Sequence, residues 1–191
     1  MVRRIARLFL FGAIVITLFD GFHTYSATTE YADPWILKTA WWVPLLYGSA
    51  SALGGLFYDQ AYQRLGGPPR LPSQGQATNA LFVFGLLYFA SGFLPVSNVV
   101  KLVVLVGGSI VVWGMVDQTK QGVVLGVVVA LAGCSAEIVL TRLGAFRHLQ
   151  ADVLGIPIWL PGLYLVAAPA VGQLSRRMLR DPATLYDSAS Y

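Results

Sequence analysis

The sequence has little charge, one cysteine and two histidines among 191 residues. Only 12% of the residues are charged, whereas 56% are hydrophobic, and the charges lie in short clusters between long apolar runs. Cys134 alone cannot form a disulfide framework, and two distant histidines do not supply the ligands of a structural zinc site. No basic stripe is interleaved with aromatic residues, so the formal charge of +4 predicts no nucleic-acid binding.

Motifs of the common catalytic classes are also missing. The chain has no H-E-x-x-H, no G-x-S-x-G, no paired aspartate motif and no phosphate-binding glycine loop. Within the apolar runs, Glu137 is close enough to a segment end to reach the interface, and Lys101 has a stem long enough to do so. This shortage of ionisable groups at membrane depth predicts a non-enzyme with no catalytic residue, metal or cofactor, and argues against ion-coupled transport. A membrane enzyme that uses Glu137 and His148 stays open as an alternative.

Six apolar segments are long enough to cross the hydrocarbon core, which takes about 20 helical residues. They predict an all-α membrane protein, a single domain over residues 1–191 built as a bundle of six transmembrane helices. The expected helices cover residues 5–24, 36–58, 77–94, 99–116, 122–141 and 153–174, followed by a short polar C-terminal tail at about 180–191. An even number of spans places both termini on the same side of the membrane.

Basic residues are concentrated on one side of this predicted topology. The side that holds the termini collects Arg3, Arg4, Arg7, Arg64, Arg70, Lys120, Arg176, Arg177 and Arg180. The opposite side holds only Lys38, Lys101, Arg142 and Arg147. Because cytoplasmic loops are enriched in Lys and Arg, both termini are expected in the cytoplasm. The abundance of Ala, Gly, Val and Arg, with little Lys, favours a bacterial cell membrane over the endoplasmic reticulum.

Small and aromatic residues indicate how the segments are arranged. Every fourth residue from 122 to 134 is Gly, Ala or Cys, which predicts a face of the fifth helix that a neighbouring helix approaches closely. Trp41, Trp42 and Trp159 open the second and sixth segments and are expected in an interfacial belt. Asp20 and His23, at the end of the first segment, are expected at the headgroup boundary.

Three strings of residues occur in the order and at nearly the spacing found in one membrane protein family. They are Trp41-Trp42-Val43-Pro44 with Gly48, Asp117-Gln118-Thr119-Lys120-Gln121-Gly122, and Trp159-Leu160-Pro161 with Gly172 and Arg176. Together they resemble the Insig family, the insulin-induced gene products, over roughly residues 40–178. The resemblance implies a six-helix, non-enzymatic protein that binds a membrane lipid, a sterol in the eukaryotic members. Those members hold Scap in the endoplasmic reticulum and help deliver HMG-CoA reductase for degradation.

The resemblance also implies roles for three residues. Phe84 falls on a phenylalanine of the family's sterol site, whereas Lys101 falls where the family has a glutamine. A cation at that position departs from the family pattern and suits a lipid with glycerol, ester or acidic oxygens equally well. Asp117 falls on the aspartate that the family uses to associate with Scap, and the alternative is that it caps the fifth helix. A Scap-like membrane partner is expected only if the chain is eukaryotic.

Aromatic residues of the third and fourth segments provide a lining suited to an apolar ligand, although they also fit ordinary helix packing. We expect a cavity lined by segments one to five that binds a diacylglycerol- or sterol-like amphiphile. The expected contacts are Phe84, Tyr88, Lys101, Trp113 and Trp42. The predicted function is that of an Insig-like lipid sensor, and a small lipid or solute transporter is the alternative. A homo-oligomer is a further expectation.

Overall fold

Six helices make up the protein in the computed structural model, which describes residues 1–180. They are α1 Val2–Tyr25, α2 Val43–Arg64, α3 Gln74–Phe93, α4 Asn98–Val116, α5 Lys120–Arg142 and α6 Leu160–Leu179. The bundle of six transmembrane helices expected from the apolar runs is thereby confirmed. Apart from its first residue, the polar tail expected at about 180–191 lies outside the described residues.

The helices differ in how much of their surface faces outward. Four of them, α1, α3, α4 and α5, are long and apolar enough to cross a membrane by composition alone. In contrast, α6 is the central helix and packs against all five others. It buries polar residues such as Gln173 and Arg176 within the bundle, so its composition reflects helix packing more than lipid contact.

Capping side chains define the start of three helices. Ser73 accepts a hydrogen bond from the Gln76 backbone N–H at 3.1 Å, and the Gln76 side chain accepts from the Ser73 N–H at 2.9 Å. This reciprocal capping box begins α3. Ser97 and Thr119 accept from backbone N–H groups in the same way at the starts of α4 and α5.

Both α2 and α6 begin several residues later than the apolar runs indicate. Ahead of α2, Ile36–Lys38 form a short 3-10 turn in which Leu37 has a φ of 56°. Pro44 and Pro161 then occupy the first turns of α2 and α6, where a missing N–H costs no helical hydrogen bond. Because the apolar composition continues through the preceding turns, hydropathy alone could not locate these two helix starts.

The helices α1 and α2 approach each other tightly at Gly12. Residues Gly12–Ile16 form a π-helical turn inside α1. A Cβ at Gly12 would collide with the Tyr47 carbonyl oxygen and with the Ser51 side chain. Glycine is therefore required here, and the absence of a side chain sets the spacing between the two helices.

The face of α5 formed by small residues packs against α6. Gly126 and Ala130 are buried, and a Cβ at Gly126 would lie 3.6 Å from Leu165 of α6, within ordinary van der Waals contact. Cys134 packs against the central core. The small side chains thus let α5 lie close to the central helix.

A two-stranded antiparallel ribbon joins the end of α1 to the end of α5. Strand β1 is Thr29–Tyr31 and strand β2 is Phe146–His148, and Thr29 lies opposite His148. On its outer face, Arg147 forms a 2.6 Å ion pair with Glu30. The sequence did not predict this ribbon, because strands of three residues are too short to show an alternating pattern.

Candidate functional site

A cavity of about 290 Å³ lies inside the bundle. Its walls come from α1, α2, α3, α5 and α6, and the ribbon contributes residues from both strands. Most of the wall is apolar, with Ile16, Phe84, Leu160 and Leu163 among the lining residues. The wall thus contains the sixth helix in place of the fourth, which differs from the expected lining by segments one to five.

Asp20 forms one part of a polar group at the ribbon end of the cavity. It is only 4% exposed and accepts hydrogen bonds from the hydroxyls of Tyr31 at 2.7 Å and Tyr47 at 3.1 Å. Burial and the nearby Asp20 carboxylate raise the pKa of Tyr31, so its hydroxyl keeps its proton as a donor. The bundle and the ribbon enclose Asp20, and its expected depth at the headgroup boundary stays a prediction.

Glu137 on α5 forms the second part of this polar end. It accepts a 2.6 Å hydrogen bond from the Tyr164 hydroxyl of α6 and lies 2.7 Å from Nε2 of His148 on β2. All three residues line the cavity. No fixed spacing in the sequence connects Glu137 with His148 or Tyr164, because they come from other elements. The fold brings Glu137 next to His148, the residue named with it in the enzyme alternative.

Two buried polar atoms near this end have no hydrogen-bond partner among residues 1–180. They are Oγ1 of Thr29 and Nδ1 of His148, and both residues line the cavity. Buried polar atoms in proteins normally have hydrogen-bond partners. Two such atoms without partners beside a cavity therefore suit a ligand with a hydroxyl or carbonyl group. No sequence signal marks Thr29, whose burial depends on strand pairing.

The cavity reaches the outer surface of the bundle between α2 and α5. Leu46, Ala50 and Gly54 on α2, with Ala136 on α5, both line the cavity and are exposed. A Cβ at Gly54 would meet nothing within 4 Å. These small side chains leave a lateral opening toward the lipid-facing surface.

Three of the expected contacts lie at this cavity. Phe84 and Tyr88 on α3 are 2% and 7% exposed and pack against each other edge to face. Trp42 also lines the cavity, with its ring 5.7 Å from that of Tyr31. His23 is buried beside Tyr88, with 4.4 Å between the ring centres, and its expected depth at the headgroup boundary stays a prediction.

The other two expected contacts, Lys101 and Trp113, do not line the cavity. Lys101 is 4% exposed, and its Nζ lies 5.9 Å from the ring centre of Trp159, so its side chain packs inside the bundle. Trp113 lies at the far end of α4, where its indole N–H donates to the Thr119 carbonyl at 3.0 Å. Trp159 is itself fully buried and Trp41 is 63% exposed, and their expected place in an interfacial belt stays a prediction.

Asp117 lies between α4 and α5, and four side chains donate hydrogen bonds to it. The hydroxyls of Tyr58 and Tyr62 lie 3.3 and 3.0 Å away, the Gln173 amide lies 2.6 Å away, and Thr119 also donates. Thr119 is the cap of α5, so the interpretation of Asp117 as the cap is wrong. Asp117 connects the loop to α2 and α6, and its role in partner binding stays a prediction.

The sequence and the fold are both similar to those of Insig proteins. Insulin-induced gene 1 protein of Cricetulus griseus is 27% identical over 183 residues, which cover 93% of this chain and 71% of that protein. Its Xenopus laevis counterpart is 28% identical over 171 residues, which cover 88% and 68%. No family model matches the chain.

Two solved structures share the fold. The crystal structure of a mycobacterial Insig homolog, MvINS from Mycobacterium vanbaalenii, matches with a TM-score of 0.83 and 24% identity over 95% of this chain and 97% of that one. A cross-linked MvINS trimer matches with a TM-score of 0.82 over the same shares. The likeness that the three strings indicated is therefore confirmed.

Proposed function

We propose that this chain, an Insig family protein, is a non-enzymatic lipid sensor that binds a diacylglycerol- or sterol-like amphiphile in its intramembrane cavity. The observation that carries the proposal is the division of the cavity into an apolar wall and one polar end. An amphiphile has the same division, and pockets for such ligands combine an apolar lining with a few placed polar groups.

The polar end suits the head of the ligand. Asp20 and Glu137 each lie about 8 Å inside a helix end, at 1.5 Å per residue, which is close to the membrane boundary. Thr29 and His148 supply the unpaired polar atoms beside them. In this arrangement, a hydroxyl or ester group pairs with those atoms while the hydrocarbon body lies against Phe84 and the other apolar walls.

The lateral opening between α2 and α5 provides the entry route for a membrane lipid. A ligand that dissolves in the bilayer reaches the cavity from the side without crossing water. Tyr88 and Trp42 complete the ligand contacts in the proposal, whereas Lys101 and Trp113 act through helix packing. Asp117 shapes a surface for a membrane partner, which is Scap-like only if the chain is eukaryotic.

The proposal includes a homo-oligomer with both termini in the cytoplasm. A homologue of the same fold has been crystallised as a cross-linked trimer, which supports assembly of this chain with copies of itself. In the structure, Arg4 donates a 2.6 Å hydrogen bond to the Leu179 carbonyl, so α1 begins at the same end of the bundle where α6 ends. Reporter fusions at each terminus test the cytoplasmic side directly.

Mass spectrometry of lipids retained by the purified protein tests the binding proposal. Ala167→Phe fills the cavity wall, and Ala132→Phe makes the same change at an exposed position of α5 outside the cavity. We expect wild type and Ala132→Phe to retain one class of neutral amphiphile and Ala167→Phe to lose most of it. Asp20→Asn provides a second variant that alters the head contacts without adding bulk. Equal retention by wild type, Ala167→Phe and Asp20→Asn would contradict the proposal.

The polar end also favours a second candidate, a small lipid or solute transporter. Ionisable groups at membrane depth often mark substrate pathways, and the fold gathers Asp20, Glu137, His23 and His148 around one cavity. Flux of labelled lipid or solute across liposomes measures this activity. Transport by wild type that Asp20→Asn abolishes would favour the second candidate over a binding protein.

A further inference from the structure

A second cavity, of about 400 Å³, lies at the end of the bundle where α1 begins. It is formed where α1, α3 and α6 meet, and four arginines line it: Arg4, Arg7, Arg177 and Arg180. No carboxylate lines it within residues 1–180. We call this cavity the arginine pocket.

Among residues 1–180, the carboxylate of Asp59 is the negative group that contacts an arginine of the pocket. Nε of Arg180 donates to a carboxylate oxygen of Asp59 at 2.8 Å. The same oxygen lies 3.4 Å from Nε of the buried Arg176, so one carboxylate serves two guanidinium groups. Arg7 and Arg177 have no carboxylate partner among residues 1–180, and their positive charge favours an anionic occupant.

Contacts with backbone carbonyls hold Arg177 and Arg4 in place, and a carbonyl does not cancel the charge of Arg177. Arg177 donates to the Pro72 carbonyl at 3.0 Å, and Arg4 donates to the Leu179 carbonyl at 2.6 Å. Arg7 is exposed, and no hydrogen bond or ion pair joins it to another of residues 1–180. Ordering of charged side chains before binding reduces the entropic cost of capturing a ligand.

The remaining lining suits a ligand that is partly apolar. Gln74 and Thr78 lie in the first turns of α3, whose N-terminal N–H groups and dipole favour negative charge. Ala77, Leu174 and Met178 add an apolar wall beside the arginines. A simple soluble anion would use the charge but not this wall.

We propose that the arginine pocket binds the phosphate of an anionic phospholipid. The phosphate pairs with the guanidinium groups of Arg7 and Arg177, which match its oxygens in the bidentate geometry that arginine offers. The acyl chains lie along Leu174 and Met178 toward the bilayer. Basic pockets between transmembrane helices at the membrane surface recognise anionic head groups in this way. The site is separate from the central cavity and does not depend on what that cavity binds.

Native mass spectrometry of the full chain in neutral detergent tests this site. The protein is incubated with equal amounts of phosphatidylglycerol and phosphatidylcholine that carry the same acyl chains. We compare wild type with Arg7→Gln, Arg177→Gln and with the control Arg64→Gln, Arg70→Gln, which removes two exposed charges outside the pocket. Melting temperatures identify any variant that has lost its fold.

Wild type and the control are expected to prefer phosphatidylglycerol, and the pocket variant to lose that preference. Binding of the anionic lipid should fall roughly 25-fold in the pocket variant, because each of its two basic side chains near an anionic head group contributes about fivefold. No lipid preference in wild type, or an equal loss in the control, would overturn the proposal. If the pocket variant fails to fold, Arg7→Gln alone, at an exposed position, is compared with wild type. It should weaken the preference for phosphatidylglycerol, and an unchanged preference would overturn the proposal.

Inorganic phosphate distinguishes the lipid from a soluble anion. Wild type is titrated with phosphate in neutral detergent and its melting temperature is followed. We expect no shift at concentrations where phosphatidylglycerol binds. A phosphate-dependent shift that is lost in the pocket variant, without a lipid preference, would reassign the pocket to a soluble phosphate and overturn the phospholipid proposal.

Discussion

The hydroxyl of Tyr31 donates a 2.7 Å hydrogen bond to the carboxylate of Asp20, and this bond connects the ribbon to α1. Tyr31→Phe removes the donor and leaves the buried carboxylate with one tyrosine partner fewer. We expect the free energy of unfolding to fall by about 1–3 kcal/mol, the usual cost of a lost hydrogen bond to a charged group. Thermal unfolding in detergent measures it. Tyr25→Phe, at a 58% exposed tyrosine, is the matched control and should leave the melting temperature unchanged.

Asp117→Ala should destabilise the protein because it removes the acceptor of four side-chain donors. Tyr58 and Gln173 would then lose a charged partner in the interior of the bundle. A loss of about 2–4 kcal/mol in the free energy of unfolding is expected from several charge-assisted hydrogen bonds. Asp33→Ala removes an exposed carboxylate and serves as the comparison. If both variants melt at the same temperature, the network does not stabilise the fold.

Gly54→Phe should slow the exchange of lipid between the bilayer and the central cavity. The added ring occupies the lateral opening, where a Cβ meets nothing within 4 Å, so the fold itself should not be strained. Gly107→Phe makes the same change on α4, also in open space and away from the cavity. Release of a labelled amphiphile from reconstituted protein measures the rate. Equal rates for the two variants would show that lipid enters elsewhere.

Gly12→Val should weaken the contact between α1 and α2. The new side chain would overlap the Tyr47 carbonyl oxygen, which cannot move without shifting the helix. Overpacking of this kind costs about 1–3 kcal/mol. The control is Gly114→Val, because a Cβ at that position has open space. Melting temperatures in the same detergent compare the two, and a smaller loss for Gly12→Val than for Gly114→Val would contradict the close-packing account.

The six helices could be predicted from sequence because the thickness of the hydrocarbon sets the length of an apolar run. Which helix lies at the centre of the bundle could not be predicted from the sequence. Hydropathy treats α6 as one more span, although Gln173 and Arg176 mark it as a helix surrounded by protein. The structure therefore places α6 in the cavity wall, where the sequence had suggested α4.

The polar end of the cavity could be predicted only in part, for a different reason. The sequence supports one alternative that names Glu137 and His148 together, but it does not connect them with Asp20, which lies far from both in sequence. Their proximity depends on the pairing of β1 with β2 and on the packing of α5 against α6. Contacts between elements far apart in sequence leave no periodic signal. The positions of ionisable groups along the chain therefore did not show how many of them meet at one end of the cavity.

The central position of α6 has a consequence for the order in which the protein is made. Translation delivers α1 to α5 to the membrane before the helix against which all of them pack has left the ribosome. Until then, the earlier helices enclose a groove whose carboxylates have no Tyr164 and no sixth wall. The native packing of the six helices is therefore expected to form only after α6 has entered the membrane, with open intermediates before that stage.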